Sequence, residues 1–226
     1  THERPVHVRL QIKTKEMPCQ TANLIVDLPG QKDEWVVLSA HIDGHHLAES
    51  AMDNATGLAS VCAVAEAMAP YMTHCTRGLR IALFNIEEWA LAGSAFFVEG
   101  LSEMEREAIK LNINLDTIAG SSDITALTSG FSKLEDWLLS TSQAHGYEIG
   151  THRPLMANSD HYNFAQHGIP ATRLVAGFNQ PNSAVKFLLT PRDTRNQVAP
   201  EDLKNSTALT IALVAEAWLV EKLELR

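Results

Sequence analysis

With 226 residues, 45% of them hydrophobic, the chain can bury one sizeable core but not two comfortable ones, so residues 1–226 read as a single domain. Eighteen Lys and Arg stand against 27 Asp and Glu, a formal charge of -9 with no basic run, which argues against a nucleic-acid partner. No stretch approaches the ~18 uninterrupted apolar residues of a membrane span, and no membrane partner is expected. The opening Thr1-His-Glu-Arg-Pro5 does not read as a signal peptide, and a first residue other than Met leaves room for a segment upstream.

Residues 6–12 alternate apolar and polar, and residues 23–28 form a second extended run ending in the turn signal Pro29-Gly30; both read as antiparallel strands leading into a sheet. Residues 35–40 read as a buried strand. Residues 54–69 read as a helix, with Leu58, Val61, Cys62, Ala65 and Met68 at helical spacing and Asp53 or Asn54 as its cap. A strand over 79–86, a helix over 90–99, a short charged helix over 102–110 and a strand over 111–115 follow. Further on come a strand over 123–128, a helix over 133–145, a strand over 171–175 and a closing helix over 201–223. Strands alternating with helices give the α/β pattern.

Cys19, Cys62 and Cys75 form no CxxC pair and are odd in number, so neither a disulfide framework nor a thiolate zinc site is indicated. Cys62, on the apolar stripe of its helix, is expected in the core. The odd count leans toward a reducing, cytoplasmic compartment.

The chemistry gathers at the ends of the apolar runs. His41-Ile-Asp43 follows the run 35–40, Glu87-Glu88 follows 79–86, and Asp116 follows 111–115. In an open parallel sheet the ligand crevice lies beyond the carboxyl ends of the strands, so these groups converge although 75 residues separate His41 from Asp116. Acid and imidazole groups meeting there suit a metal-dependent hydrolase. Each group has a plainer reading alone: a polar turn for His41 and Asp43, a helix cap for Asp53 or Asp116, a solvated helix start for Glu87 and Glu88. His45 and His46 are alternative ligands or a polar loop, and His161 in Asn158-Ser-Asp-His161 is a ligand or a surface histidine. Asp160 holds that turn or orients the imidazole. The plain readings must all hold together, at successive strand and helix ends, for the site to vanish.

Taken in order, His-x-Asp, Asp53-Asn-Ala-Thr-Gly57, Glu-Glu, Asn-x-Asp and Ser-Asp-His resemble the M28 family of zinc peptidases, over nearly the whole chain. The resemblance implies a three-layer α/β/α sandwich with a mixed, mostly parallel central sheet. It also implies two zinc ions per chain, with cobalt or manganese as substitutes in the same N,O set. His41, Asp53 and Asp116 would hold one ion and Asp53, Glu88 and His161 the other, with Asp53 bridging. Asp43 would orient His41, Glu87 would be the general base, and the Asp53-Asn54 peptide would be cis. The activity implied is that of an aminopeptidase acting on small peptides or amides. Many relatives of the family are secreted, against the lean from the cysteines.

The match has departures. Only twelve residues separate His41 from Asp53, a short loop for the family, and the loop Leu188-Leu-Thr-Pro-Arg-Asp-Thr194 has Leu and Thr where a His near the substrate is usual. Tyr147 and Tyr162 are candidates for the oxyanion donor. Pocket walls are expected from residues 47–52 and 178–195. The 73 residues between Glu88 and His161 leave no room for the dimerisation domain of the M20 peptidases. Two alternatives keep the fold: a glutaminyl-cyclase-like acyltransferase with one zinc, and a non-catalytic peptidase-like binding module. Oligomeric state is not bounded by the sequence.

Overall fold

A computed structural model describes residues 8–226. Its seven strands are β1 Leu24–Leu28, β2 Trp35–His41, β3 Gly78–Phe84, β4 Ile109–Leu115, β5 Ile124–Leu127, β6 Gly150–His152 and β7 Ala171–Ala176. Its six α-helices are α1 Thr56–Met68, α2 Ala92–Gly100, α3 Glu103–Ala108, α4 Ser132–Ala144, α5 His161–Ala165 and α6 Pro200–Leu219. The strands form one sheet in the order β1-β3-β2-β4-β7-β5-β6. The pairs β1/β3 and β5/β7 are antiparallel and the rest parallel, so the sheet is mixed and mostly parallel, as expected.

Strand alternation assigns each side chain to a layer. Val36, Leu38 and Ala40 of β2 and Leu111, Ile113 and Leu115 of β4 join the larger core, with Val61 and Val64 of α1, Leu138 of α4 and Leu213 and Trp218 of α6. Val37 of β2 belongs to the smaller core on the opposite face, with Phe84, Val98 of α2 and Phe164 of α5. Helices on both faces of one sheet make the three-layer α/β/α sandwich. Near-continuous apolar strands are what burial on both faces demands.

Ser39 and His41 share the smaller-core face with Val37, and on β4 that face carries Asn112 and Asn114. Buried amides and hydroxyls need partners, and these find each other. Asn112 Nδ2 donates to Ser39 Oγ at 2.9 Å, Ser39 Oγ donates to Asn114 Oδ1 at 2.8 Å, and Asn114 Nδ2 donates to Ser159 Oγ at 2.7 Å. This polar chain ends at Ser159, two residues before His161.

Several local expectations change. Residues 6 and 7 lie outside the described residues, while residues 8–12 form no strand and are exposed, because alternation alone supplies no partner strand. Cys62 is exposed: α1 buries Ser60, Val61, Val64 and Met68, a stripe turned away from Cys62 because the helix packs on α6 with Ser60 Oγ 2.6 Å from Thr207 Oγ1. Cys75 is the buried cysteine. The closing helix stops at Leu219 rather than 223, and β6, only three residues long, had no legible pattern. Among the described residues, no helix is long and apolar enough to cross a membrane.

The layers predict unequal sensitivity. Leu38→Ala, in the centre of the sheet and fully buried, should cost about 2–5 kcal/mol in urea denaturation. Val26→Thr, on the exposed edge strand β1, should stay within about 0.5 kcal/mol.

Candidate metal centre

β2, β3 and β4 run parallel, and their carboxyl ends release His41, the Asn85–Glu88 turn and Asp116 on one edge of the sheet. His41 is buried at the last position of β2. Its Nδ1 lies 3.1 Å from the Asp43 carbonyl and 3.5 Å from Asp43 Oδ1. Its Nε2 faces Asp53 Oδ1 at 3.0 Å and Asp116 Oδ1 at 3.6 Å. One imidazole nitrogen is thus engaged by Asp43 and the other presented to two carboxylates.

The Asp43 carboxylate also accepts from the backbone N–H of Glu87 at 3.1 Å and of Glu88 at 3.2 Å. It ties the end of β2 to the turn after β3. Ile86, the residue before Glu87, sits at φ 58°, a left-handed conformation costly for a β-branched side chain. Its N–H is held by Asn85 Oδ1 at 3.0 Å. Thr117, after Asp116, is at φ 60°, and its N–H donates to Asn54 Oδ1 at 3.2 Å. Left-handed residues beside two site carboxylates are the kind of strain that functional sites hold through their surroundings.

Asp53 lies in the turn Ala51–Ala55, and the Asp53-Asn54 peptide is cis, as expected. Of the two expected caps it is Asn54 that serves α1: its Oδ1 accepts from Gly57 N–H at 3.0 Å and its Nδ2 donates to Leu115 O at 2.8 Å. A Cβ on Gly57 would meet Asn54 Oδ1 and Leu115 O at 2.3 Å, so Gly57 is what lets the turn reach the end of β4. Asp193 fixes the other side, its two carboxylate oxygens accepting from Met52 N–H at 2.8 Å and Asp53 N–H at 3.2 Å.

Among the described residues, His41, Glu87 and Asp116 form a group of three whose ligand atoms all lie within 4.8 Å of one another, and no such group includes Asp53, Glu88 or His161. Asp53 joins through His41. Glu88 Oε1 and both ring nitrogens of His161 are buried without a hydrogen-bond partner. Buried polar atoms ordinarily have partners, so these atoms, beside the carboxylates and an available imidazole nitrogen, fit an N,O-coordinated divalent ion. Asp160 does not orient His161: its carboxylate accepts from Ser94 Oγ at 2.5 Å and so anchors the turn to α2. His45 and His46 stack on each other on the wall of a cleft of about 310 Å³ that His41, Asp43, Glu49 and Ser50 also line. The expected walls meet where Glu49 Oε2 accepts from Arg195 N–H at 2.9 Å.

The electrostatics follow from crowding these groups away from water. Burial pushes Glu87 up to about 9, with the neighbouring Asp116 charge adding to it. Burial and the Asp53 charge push Glu88 up to about 7. Burial raises Asp160 to about 7, against the opposing Ser94 hydrogen bond. Burial drives His161 down to about 3, with help from the Arg173 charge, so it is a neutral donor. His41 goes the other way: burial disfavours its cation, but Asp116, Asp43 and Asp53 outweigh it and raise the pKa. Asp116 is held below the ordinary carboxylate range in spite of burial, by Arg173 and His41.

Sequence reasoning missed Arg173. Its Nη2 lies 3.1 Å from Asp116 Oδ2, and its Nη1 donates to Asn158 O at 2.5 Å. The signal was a lone cation inside the apolar run Ala171–Ala176, every residue of which is buried. It missed Asp193 too, whose loop was noticed for the His it lacks.

The comparisons bear on the family and the fold. The profile of peptidase family M28 matches residues 23–214. The chain is 24% identical to the aminopeptidase YwaD of Bacillus subtilis over 93% of its own length and 48% of that protein. It is 26% identical to leupeptin-inactivating enzyme 1 of Streptomyces exfoliatus, over 73% of this chain and 38% of the relative. The solved zinc aminopeptidase BSAP from Bacillus subtilis superposes with a TM-score of 0.80 at 25% identity, covering 88% of this chain and 50% of that one. A glutaminyl cyclase from an Acidobacteriales bacterium shares the fold, with a TM-score of 0.70 at 18% identity, over 86% of this chain and 72% of that one. The chain spans about half the length of the curated aminopeptidase it matches. From the ordered motifs, the layered sheet and the profile match, the chain belongs to peptidase family M28.

Proposed function

We propose that this domain is a zinc-dependent aminopeptidase that removes N-terminal residues from small peptides. The observation that carries the reading is His41 Nε2 facing both Asp53 and Asp116 at the carboxyl edge of the sheet, with a Glu87 carboxylate oxygen within 4.8 Å of the His41 and Asp116 ligand atoms. His41, Asp53 and Asp116 would hold one ion, and Asp53, Glu88 and His161 a second. Zinc there supplies Lewis acidity, which polarises a substrate carbonyl and acidifies a water.

The chain's own groups do the rest. Asp43 holds His41 Nδ1 and leaves Nε2 free to bind. His161, neutral and without a partner on either ring nitrogen, is available as a nitrogen donor. Glu87 is the carboxylate proposed to bind neither ion. In the metal-free protein it is protonated at neutral pH, because burial and Asp116 hold its proton. Added positive charge nearby lowers its pKa, so Glu87 can take a proton from the attacking water and return it to the leaving amine. The glutaminyl-cyclase reading shares the fold, but the aminopeptidases are more similar to the chain in sequence, at 24% and 25% identity against 18% for the cyclase, which favours hydrolysis.

Glu87→Gln should retain zinc by elemental analysis and lose about 100- to 10,000-fold in kcat. Loss of zinc in that variant would make Glu87 a ligand and shift the base role to Glu88.

Metal-free protein should lose stability as pH rises from about 5 to about 7. Glu87, Glu88 and Asp160 have raised pKa values in the fold. The folded state therefore binds more protons than the unfolded one in that window, and stability falls with pH. His161, depressed to about 3, opposes this below its unfolded pKa of 6.5; His41, raised, adds to the loss above 6.5. Three carboxyls outweigh one imidazole, so Tm of the stripped protein should drop across the window, and saturating zinc should flatten the profile. A stripped protein whose Tm rises from pH 5 to 7 would contradict the assigned charge states.

A further inference from the structure

Arg173 stands on β7 next to Asn114 of β4, on the face that carries the polar chain to Ser159. It is 9% exposed. All three guanidinium nitrogens are taken by the protein: Nη2 by Asp116 Oδ2 at 3.1 Å, Nη1 by Asn158 O at 2.5 Å, Nε by Asp116 O at 3.4 Å. The side chain therefore bridges the end of β4, which carries Asp116, and the turn that leads to His161. Held on both sides, it is fixed in place, with two of its five N–H groups, one on each Nη, left over. A guanidinium does not deprotonate in proteins, so its charge is permanent.

Asp116 has few oxygens to spare. Oδ2 is occupied by Arg173, and Oδ1 accepts from Thr117 Oγ1 at 3.1 Å while facing His41 Nε2 at 3.6 Å. A metal at His41, Asp53 and Asp116 would meet Asp116 through Oδ1. It would also meet a net ligand charge of minus one, rather than the minus two that Asp53 and Asp116 give without the arginine. The ion proposed for Asp53, Glu88 and His161 uses no atom that Arg173 touches; the Arg173 charge reaches Asp53 and His161 too, but only Asp116 is in direct contact with it.

We propose that Arg173 is a resident cation of the metal centre, occupying Asp116 Oδ2 and making the divalent ion on Asp116 the more weakly held of the two. This rests on the two-ion reading above. A purely orienting role for the same contact, fixing Asp116 for its ion, has the opposite consequence for affinity.

The test is zinc titration of the chelator-stripped chain against a competing chromophoric chelator, with bound metal counted by elemental analysis. Wild type should take one ion tightly and a second about tenfold more weakly. Arg173→Gln keeps a donor for Asp116 Oδ2 and removes the charge; relief of the repulsion between the guanidinium and the ion should tighten the weaker ion about tenfold. Arg173→Lys keeps the charge without the fork and should leave the gap in place. If stripped Arg173→Gln does not fold, zinc release from the loaded protein to excess chelator replaces the titration: two phases in wild type, the faster one slowed in the variant. Two ions of equal affinity in wild type would overturn the proposal, as would a weaker ion that Arg173→Gln leaves unchanged or loosens, or that Arg173→Lys tightens equally. A wild-type chain that takes up no zinc overturns the metal-centre reading itself, a separate outcome from either of these.

Discussion

The constraint on which the rest of the site depends is the burial of several carboxylates at one edge of a parallel sheet. Asp43, Asp53, Glu87, Glu88, Asp116 and Asp160 crowd a place where water is scarce and like charges repel. The fold meets this in three ways. Hydrogen bonds take up part of the charge, as Asp43 does with two backbone N–H groups and Asp160 with Ser94. Cations offset more of it, His41 between Asp53 and Asp116 and Arg173 against Asp116. The remainder is relieved by proton uptake at Glu87 and Glu88. A region that retains protons on carboxyls is one where a divalent ion gains by replacing them.

Strand parity decides which residues take part. Val36, Leu38 and Ala40 are committed to the larger core, so Val37, Ser39 and His41 must face the other layer. The same parity on β4 lines Asn112 and Asn114 up below Asp116. Burying two amides and a hydroxyl between apolar layers is tolerable only because they satisfy one another, and their chain leads to Ser159. The turn bearing His161 is thereby referenced to the centre of the sheet instead of hanging from a loop. Arg173 gives it a second tether through Asn158 O. A turn held at two points is held more closely than its sequence position suggests.

Much of this was legible. Apolar runs ending in charged residues located β2, β3, β4 and their site groups, because a buried strand has little else to hide behind. The parts that were not legible share a cause. Cys62 was misplaced because a helix with apolar residues on more than one side does not declare which stripe it buries; the partner, α6, decides. The strand expected from residue 6 to 12 is not formed over the described residues 8–12, because alternation is necessary for an edge strand but does not create its neighbour. Asp193 and Arg173 act through tertiary contacts with Asp53 and Asp116, which lie 140 and 57 residues away. No local pattern encodes such a distance, although a charge within a buried strand, as at Arg173, is a flag that can be read.

Sheet and loops divide the site between them. Strand ends fix the donors, whereas the rim comes from segments such as residues 45–50 and 188–195, joined here by the Glu49–Arg195 pair. Leu47, Trp89 and Leu189 are exposed large apolar residues on segments that adjoin the site carboxylates by sequence or by contact. Leu189 stands in the loop that also delivers Asp193 to the Asp53 turn. A change in that loop therefore acts on two things at once: the rim of the site and the placement of the carboxylate proposed to bridge the ions.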